Sequence, residues 1–428
     1  MGIRDWAIEY IKVVMPETRA IILAAGKGTR LKSDTPKVLH HVCGRPALQY
    51  IVDLVSSLRT YVVVGFGAEA VQKAIGTRVD YVLQDKLLGT GDAVRRVESR
   101  LKGFHGNVLV LCGDTPLLEK SVVTRLIKTH AKSNASATIL SARVGNPHGY
   151  GRMVRDERGQ LKAIREQKDL SESEIGINEI NVGMYCFKAK DLFEALRGVK
   201  LSPKKKEYYL TDVIEILLAD GKNVASVISD DPNVAFGINT RQDVAQAEGI
   251  MRARILDRLM TSGVGIVDPA TTFVDAGARI GRETIIYPCS SIAGDVTIGK
   301  NCKIGPFARI RPGTKIADNA EIGNFAEVSR TTIGRNVFMK HFSFLGDASV
   351  GQNSNIGAGV VTSNYDGQLK HNTVIAEGAF IGSDAILVSP VKVGKKAMVG
   401  AGSVVPKGTT VKPGSVVVGV PARVIRKS

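Results

Sequence analysis

A six-residue period in the C-terminal half restricts the fold more than any other feature of the chain. Ile298, Ile304, Ile310, Ile316 and Ile322 fall six residues apart, and Ile381, Leu387, Val393, Val399, Val405, Val411 and Val417 keep the same step without a miss. Glycine follows the aliphatic residue at Gly281, Gly299, Gly305, Gly323, Gly334, Gly351, Gly357, Gly382, Gly394 and Gly400. Each hexad therefore reads aliphatic, glycine, then four mostly small or polar residues. With the aliphatic side chain inward and the glycine permitting a tight corner, three hexads close one coil of about 18 residues, and coils stack into a three-sided prism. Composition agrees, because 45 glycines and only 5% aromatic residues leave Val, Ile, Leu and Ala to build the core. The period fails between Gly323 and Val350 and again between Val361 and Ile381, where SNYDGQLKHN reads as a loop leaving one corner. Insertions in a solenoid usually map to a binding face.

The N-terminal half has a different grammar. From Arg19 to about Asp230, short apolar runs (RAIILAAG, TYVVVGF, VDYVLQ, VLVLCGD) alternate with helical patterns such as the one near Ala47 to Leu58. This alternation predicts βαβ units around a parallel, Rossmann-like sheet whose strands are buried on both faces. Ligands of such sheets collect at the carboxyl ends of the strands, here just after AIILA, VLQ and VLVLC. The stretch from Thr240 to Thr261 has helical spacing of Val244, Ala247, Met251, Ile255 and Leu259 and reads as a connecting helix. The expected organisation is an accessory segment over residues 1–18, an α/β domain over 19–239, a linker helix over 240–262 and a β-helix over 263–428.

A net charge of +17 suits polyanionic partners such as nucleotides, coenzymes or nucleic acid. No basic-aromatic recognition module accompanies the charge, and the longest basic run, Lys204 to Lys206, reads as a solvated loop, so nucleic acid is not the expected partner. The five cysteines are widely spaced with no CxxC pair, which argues against a disulfide framework or zinc site and for a reducing cytoplasm. No apolar run reaches the ~18 residues of a membrane span. Glu9 and Lys12 interrupt the opening segment too early for a signal-peptide core.

The loop LAAGKGTRL (Leu23 to Leu31) directly follows the first strand, where backbone N–H groups can lie along a phosphate chain. Lys37 follows Arg30 by seven residues, so two cations from separate segments can clamp one polyphosphate. Asp114 follows the strand VLVLC, a place where a hard carboxylate oxygen can meet a phosphate-bound Mg²⁺. Together with LQDKLLGTGDA, LCGDTPL, GYGR, IREQKD, EINVG, YYLTD and GIN, the run LAAGKGTR…SDTPKVLH closely resembles the uridylyltransferase half of the bifunctional bacterial enzymes that make UDP-N-acetylglucosamine. The resemblance implies that Leu23, Ala24, Ala25, Gly26, Gln84, Gly89 and Thr90 bind UTP. It gives Arg30 and Lys37 the catalytic role and assigns Asp114 and Asn239 to Mg²⁺. Gly151, Glu166, Asn181 and Thr211 would line the pocket for N-acetylglucosamine 1-phosphate.

The C-terminal motifs GPFARIRPG, IGNFAEV, HFSFLGD, NIGAG, SNYDG, GSD and GAG resemble the acetyltransferase half of the same family. That likeness implies a left-handed parallel β-helix, a homotrimer and acetyl-CoA as cosubstrate. His341 would be the general base, since a neutral imidazole can take a proton from an attacking amine. Arg311, Asn355, Asn364 and Tyr365 would bind the sugar phosphate, and Ala358, Ser383, Ala401 and Arg423 would face the coenzyme. Three departures stand out: Ser329 replaces a lysine usual in the family, Phe344 a tyrosine, and Gly419 an arginine before the terminal Val-Pro. Arg330 and Arg423 lie close in sequence to the lost groups and are candidate replacements. Two alternatives stay open: another sugar 1-phosphate with UTP or dTTP, and a monofunctional nucleotidylyltransferase whose β-helix serves trimerisation or acetylates a different acceptor.

Overall fold

The structure, a computed structural model, describes residues 16–203 and 206–426. The accessory segment therefore lies outside the described residues up to its last three positions, as do Lys204 and Lys205 of the basic run. Two compact units, residues 1–248 and 249–428, divide the chain. The division falls within a 21-residue helix, Arg241–Thr261.

In the first unit one sheet carries the strands in the order Val224–Ser229, Ala137–Arg143, Glu179–Lys188, Asn107–Cys112, Thr18–Ala24, Arg59–Val64 and Asp80–Leu83. All neighbours are parallel except those of Glu179–Lys188, which runs against both of its own. The central strands are apolar throughout because helices cover both faces: Ile21, Ile22, Val62, Val63, Leu109 and Val110 are fully buried. Asp80–Leu83 departs from that expectation. It is the sheet edge, with a neighbour on one side alone, and Leu83 stays exposed. The helix expected near Ala47 to Leu58 ends at Leu54. Chain order reverses on either side of Thr18–Ala24, whose neighbours are Asn107–Cys112 and Arg59–Val64, so a crevice opens at the carboxyl end of that strand.

The second unit is a parallel β-helix with three faces. Its faces begin at Gly265–Ile266, Phe273–Val274 and Arg279–Ile280, and successive strands in each pair parallel, until Arg423–Arg426 closes the first face antiparallel to Val416–Val418. The aliphatic residue of each hexad fills the interior; Ile304, Ile322, Ile381, Leu387 and Val405 have no exposed surface. The glycines act differently from the expectation. Among the ten hexad glycines from Gly281 to Gly400 that follow an aliphatic residue, only Gly305 has a positive φ. A Cβ on Gly281 would instead stand 2.6 Å from the Gly299 carbonyl, and one on Gly357 2.6 Å from the Ser383 nitrogen, so these residues let one coil lie against the next. The left-handed corner residue comes two positions later, at Glu283, Asn301, Asn319, Asn336 and Asn353, with φ between 54° and 61°. Asparagine tolerates that conformation. Asn319 donates to Asn336 at 3.2 Å and Asn336 to Asn353 at 2.9 Å, forming a ladder down this edge.

The first break in the period is two single-residue deletions. Glu321 pairs with Phe338 and Phe338 with Asn355, spacings of 17 where 18 is regular. Both deletions fall at one edge, after Ser329 and after Gly346. The second break lengthens one coil, since Asn355 pairs with Phe380, and the extra residues leave at the same edge as a loop through Tyr365 and Lys370.

Candidate functional site

The crevice of the first unit is a cavity of about 330 Å³ lined by the loop from Leu23 to Lys27, by Lys37, Gln84, Gly89 and Thr90, and by Asp114. Its geometry is built from local pairing. Gly113 N–H donates to the Leu23 carbonyl at 2.9 Å, extending the strand pairing by one residue and delivering Asp114 to the crevice. The Ile238 N–H donates to the Asp114 carbonyl at 2.9 Å, which ties the segment carrying Asn239 to it. Thr240 and Asp243 cap the helix that follows: the Asp243 carboxylate accepts from the Asn239 and Thr240 N–H groups at 2.9 and 2.8 Å, and Thr240 Oγ1 accepts from the Asp243 N–H at 3.1 Å. The Asn239 amide nitrogen donates to the Gly237 carbonyl at 3.2 Å, so its oxygen turns toward the cations.

Four of the expected residues meet at this point. Arg30 Nη2 donates to Asn239 Oδ1 at 3.0 Å and Lys37 Nζ to the same oxygen at 3.3 Å, while Lys37 also forms an ion pair with Asp114 Oδ2. Lys37 and Asp114 retain 19% and 15% of their side-chain exposure, so water screens this pair poorly. Gly28, at φ 62°, lets the loop pass: a Cβ there would stand 2.7 Å from the Lys37 Cβ. Behind Asp114, burial pushes the Cys112 thiol up to about 12, so sulfur contributes no charge to the crevice.

The remaining N-terminal candidates flank this centre in two groups. Gln84 Nε2 donates to the Gly89 carbonyl at 3.0 Å and to Asp92 at 2.9 Å, and Thr90 Oγ1 accepts from the Leu210 N–H at 3.0 Å. Gly89, at φ 96°, is pressed so closely on the segment before Leu210 that a Cβ would meet the Tyr208 carbonyl at 2.6 Å. In the second group the Asn181 N–H donates to the Gly151 carbonyl at 2.8 Å, and Thr211 Oγ1 donates to Glu166 at 3.2 Å. Asp212, next to Thr211, has its carboxyl raised to about 6 by burial and then by Glu215, Glu166 and Asp169. The cap Thr240/Asp243, which holds Asn239 in the central cluster, and the buried Arg152, which lies beside Gly151, escaped the sequence reading. The T-x-x-D spacing at Thr240 was the available signal for the first; Arg152, which donates to Tyr150 and Gln167, offered none beyond its place in GYGR.

In the second unit the candidates occupy two edges. His341, Ala358, Ser383 and Ala401 hold the same position in four successive coils, three residues after Phe338, Asn355, Phe380 and Met398, which pair in register on the first face. Four positions at strand spacing span about 14 Å. Gly419 continues this column, and Arg423 pairs with Val418 beside it. Asn355 lies on the first face next to the same edge. His341 is exposed, as are Phe307, Phe325 and Phe342 along this edge; the rings of Phe307 and Phe325 stack at 4.8 Å.

Arg311, Asn364 and Tyr365 stand at the other end of the second face, with Ser329 and Arg330. Arg330 Nε and Nη2 donate to Asp347 at 2.5 and 2.8 Å, Arg330 Nη1 donates to Ser329 Oγ at 2.8 Å, and Asn364 donates to the same Asp347. Arg311 donates to Glu327 at 2.7 Å. A Cβ on Gly346 would lie 2.7 Å from Phe344 Cζ and 2.8 Å from Asn364 Nδ2, which sets the Phe344 ring end at this edge. Within one chain, then, the expected base and Asn355 share one edge, while the other expected sugar-phosphate residues, Arg311, Asn364 and Tyr365, are separated from them by the width of a face.

A phosphate-loop crevice at a sheet switch point, followed by a hexapeptide β-helix, defines a transferase of two fused catalytic types. The family profiles agree: a MobA-like NTP transferase domain matches residues 20–177, and a bacterial transferase hexapeptide matches residues 277–312, 295–330 and 372–407. The "Bifunctional protein GlmU" of Shouchella clausii (strain KSM-K16) is 43% identical over 90% of this chain and 93% of its own length. That of Geobacillus sp. (strain WCH70) is 45% identical over 91% and 93%, and that of Heliobacterium modesticaldum (strain ATCC 51547 / Ice1) 40% over 92% and 94%. The chain belongs to the GlmU family of bifunctional proteins. With that membership come the two activities expected from the sequence, uridylyl transfer and acetyl transfer in UDP-N-acetylglucosamine synthesis. Among the described residues no helix is long and apolar enough to cross a membrane.

Proposed function

We propose that the first unit joins UTP to N-acetylglucosamine 1-phosphate with Arg30, Lys37, Asp114 and Asn239 as its reacting centre. The convergence of two cations, a carboxylate and an amide oxygen at the strand ends carries this reading. A sugar 1-phosphate oxygen attacks the α-phosphorus of UTP, forming the new P–O bond while the bond to the β-phosphate oxygen breaks and pyrophosphate leaves. The attacking oxygen is already anionic, so the protein supplies position and charge neutralisation rather than a base. Arg30 and Lys37 draw the phosphates in, Gln84, Gly89 and Thr90 hold the uridine side, and Gly151, Glu166, Asn181 and Thr211 hold the sugar. Asp114 Oδ2 and Asn239 Oδ1 both face the Lys37 ammonium, so two hard oxygens point at one cation position. No group of three or more His, Cys, Asp or Glu suited to a metal occurs among the described residues. Two protein oxygens suit Mg²⁺, which keeps several waters and takes phosphate oxygens. Bound there, Mg²⁺ supplies neutralisation of the charge that develops on the phosphates.

In the second unit the amine of glucosamine 1-phosphate attacks the thioester carbonyl of acetyl-CoA. His341 accepts the amine proton as the C–N bond forms, and the C–S bond breaks to release the coenzyme thiol. The exposed Phe307, Phe325 and Phe342 beside His341 favour a homotrimer in which another copy covers this edge and completes the acetyl-transfer pocket. Arg330, which reaches Ser329 and shares Asp347 with Asn364, takes over the phosphate contact of the missing lysine, and Arg423 that of the arginine replaced by Gly419.

The test is an assay of both half-reactions on the purified chain: pyrophosphate release from UTP with N-acetylglucosamine 1-phosphate, and free thiol from acetyl-CoA with glucosamine 1-phosphate. Release of both supports the reading. Pyrophosphate without thiol assigns the β-helix to trimerisation or another acceptor, and a preference for glucose 1-phosphate or dTTP overturns the substrate assignment.

A further inference from the structure

We propose that Lys37 is a resident cation that holds the metal position in the nucleotide-free protein, so that a divalent ion enters only together with the triphosphate. The proposal rests on the reading of Asp114 and Asn239 as metal ligands, and goes beyond it by fixing the order in which the site fills.

The oxygens that would receive a metal are already occupied. Lys37 Nζ pairs with Asp114 Oδ2 and donates to Asn239 Oδ1 at 3.3 Å, and Arg30 Nη2 donates to the same Asn239 oxygen at 3.0 Å. A metal bound between these oxygens and the ammonium in its present place would put like charges side by side in a poorly screened pocket, which each disfavours for the other. One must therefore leave. Asn239 cannot easily turn away, because Gly237 holds its amide nitrogen and Asp243 its backbone N–H. The Asp114 main chain is tied to Ile238, and its short side chain has one carbon between the backbone and the carboxylate, so the carboxylate stays at the crevice. Lys37 is the movable partner: a point charge on a four-carbon stem. Its root is packed at Gly28, while its outer part lines the cavity beside the Leu23-to-Lys27 loop.

A triphosphate in that cavity gives the ammonium new anionic partners, and the vacated carboxylate and amide oxygens become available to a metal carried by the same phosphates. Without the nucleotide, Asp114 is the one carboxylate among the described residues that pairs with Lys37, and a free divalent ion must displace the ammonium unaided. Lys37 thus makes metal binding conditional on substrate, in addition to neutralising charge during the reaction.

The experiment is a titration of the full-length protein with Mn²⁺ in the absence of nucleotide, followed by the electron paramagnetic resonance signal of free Mn²⁺. Wild-type protein is expected to bind weakly. Lys37→Met and Lys37→Gln, two variants so that one misfolded protein does not decide the matter, are expected to bind at least tenfold more tightly. Lys37→Met combined with Asp114→Asn is expected to return to weak binding. Circular dichroism confirms the fold of each. If both Lys37 variants bind Mn²⁺ no better than wild type while Asp114→Asn weakens what binding there is, the ligand assignment stands and the proposal falls. If Asp114→Asn makes no difference in any background, the ligand assignment falls as well.

Discussion

The two units place their functional residues by opposite means. In the α/β unit, residues separated by up to 209 positions touch, because a parallel sheet ends all its strands on one side and the order reversal beside Thr18–Ala24 leaves a single crevice for Arg30, Lys37, Asp114 and Asn239. In the β-helix, residues equivalent in the repeat line up one coil apart along an edge, so His341 meets Ala358, Ser383 and Ala401, while Arg311 and Asn364 stay on another edge. An open α/β sheet makes a pocket within one chain. A solenoid makes columns, and a pocket needs a second surface across from them.

The largest expected effect isolates the first kind of site. Lys37→Ala should lower kcat for uridylyl transfer by about three orders of magnitude, the scale of losing one preorganised charge in a transition-state clamp, and leave acetyl transfer unchanged. Near-normal uridylyl transfer in that variant would break the assignment. The reciprocal change, His341→Ala, should lower acetyl transfer by about two to three orders while uridylyl transfer continues. Pyrophosphate and thiol release measured on one preparation check both. The column model adds that His341→Ala subunits mixed with an inactive variant of the other edge, Asn364→Ala, regain some acetyl transfer, since a pocket made between copies then includes some intact pairings.

A smaller effect is expected at Arg330. Its guanidinium lies against Ser329 and shares Asp347 with Asn364. Arg330→Glu should raise KM for glucosamine 1-phosphate by about ten- to a hundredfold through loss of a charge-assisted hydrogen bond, with a smaller change in kcat. An unchanged KM would remove Arg330 as the substitute for the missing lysine.

The legibility of the two units differs for the same physical reason as their sites. The β-helix is written in local spacing: Ile298 to Ile322 and Ile381 to Val417 disclose the coil, and the asparagines at 301, 319, 336 and 353 mark a left-handed corner that their own spacing could have revealed. The shift of the corner from glycine to asparagine was hidden because glycine serves equally for a positive φ and for close approach; only the distance from Gly281 to Gly299 separates the two uses. In the α/β unit the strands were legible from composition. The partner of Lys37 was not, since Asp114 and Asn239 are brought to it by tertiary pairing alone. Motif order told which residues would share a crevice, and nothing local told that Lys37 would lie upon Asp114 and Asn239.

Acid provides the last and smallest separation of the units. His130, buried between the helix Lys120–Ser133 and the strand Ala137–Arg143, has its imidazole lowered from 6.5 to about 4, first by burial and then by the Lys188 charge, with Nδ1 2.9 Å from Thr138 Oγ1. The folded unit thus keeps this group neutral where the unfolded chain would protonate it. Its contribution is complete above pH 6.5 and declines as pH falls toward 4, by about 3 kcal/mol. Asp212 works in the opposite sense, because a carboxyl raised from 3.8 to about 6 favours the folded state increasingly as pH falls through 6. Asp212 is only half-buried, so solvent screens its share and the histidine should prevail. In the β-helix the shifted carboxylates, among them Asp347, lowered by Arg330, and Asp366, lowered by the Leu369 N–H and then by His371, are lowered instead, so they weaken that unit only below the ordinary carboxylate range. Between pH 6.5 and 4, thermal unfolding should therefore show the α/β unit moving to lower temperature while the β-helix holds. His130→Gln should flatten the first transition, and Asp212→Asn should steepen it. A fall that is the same for both units, or one that His130→Gln leaves intact, would place the acid-sensitive group outside this helix–strand contact.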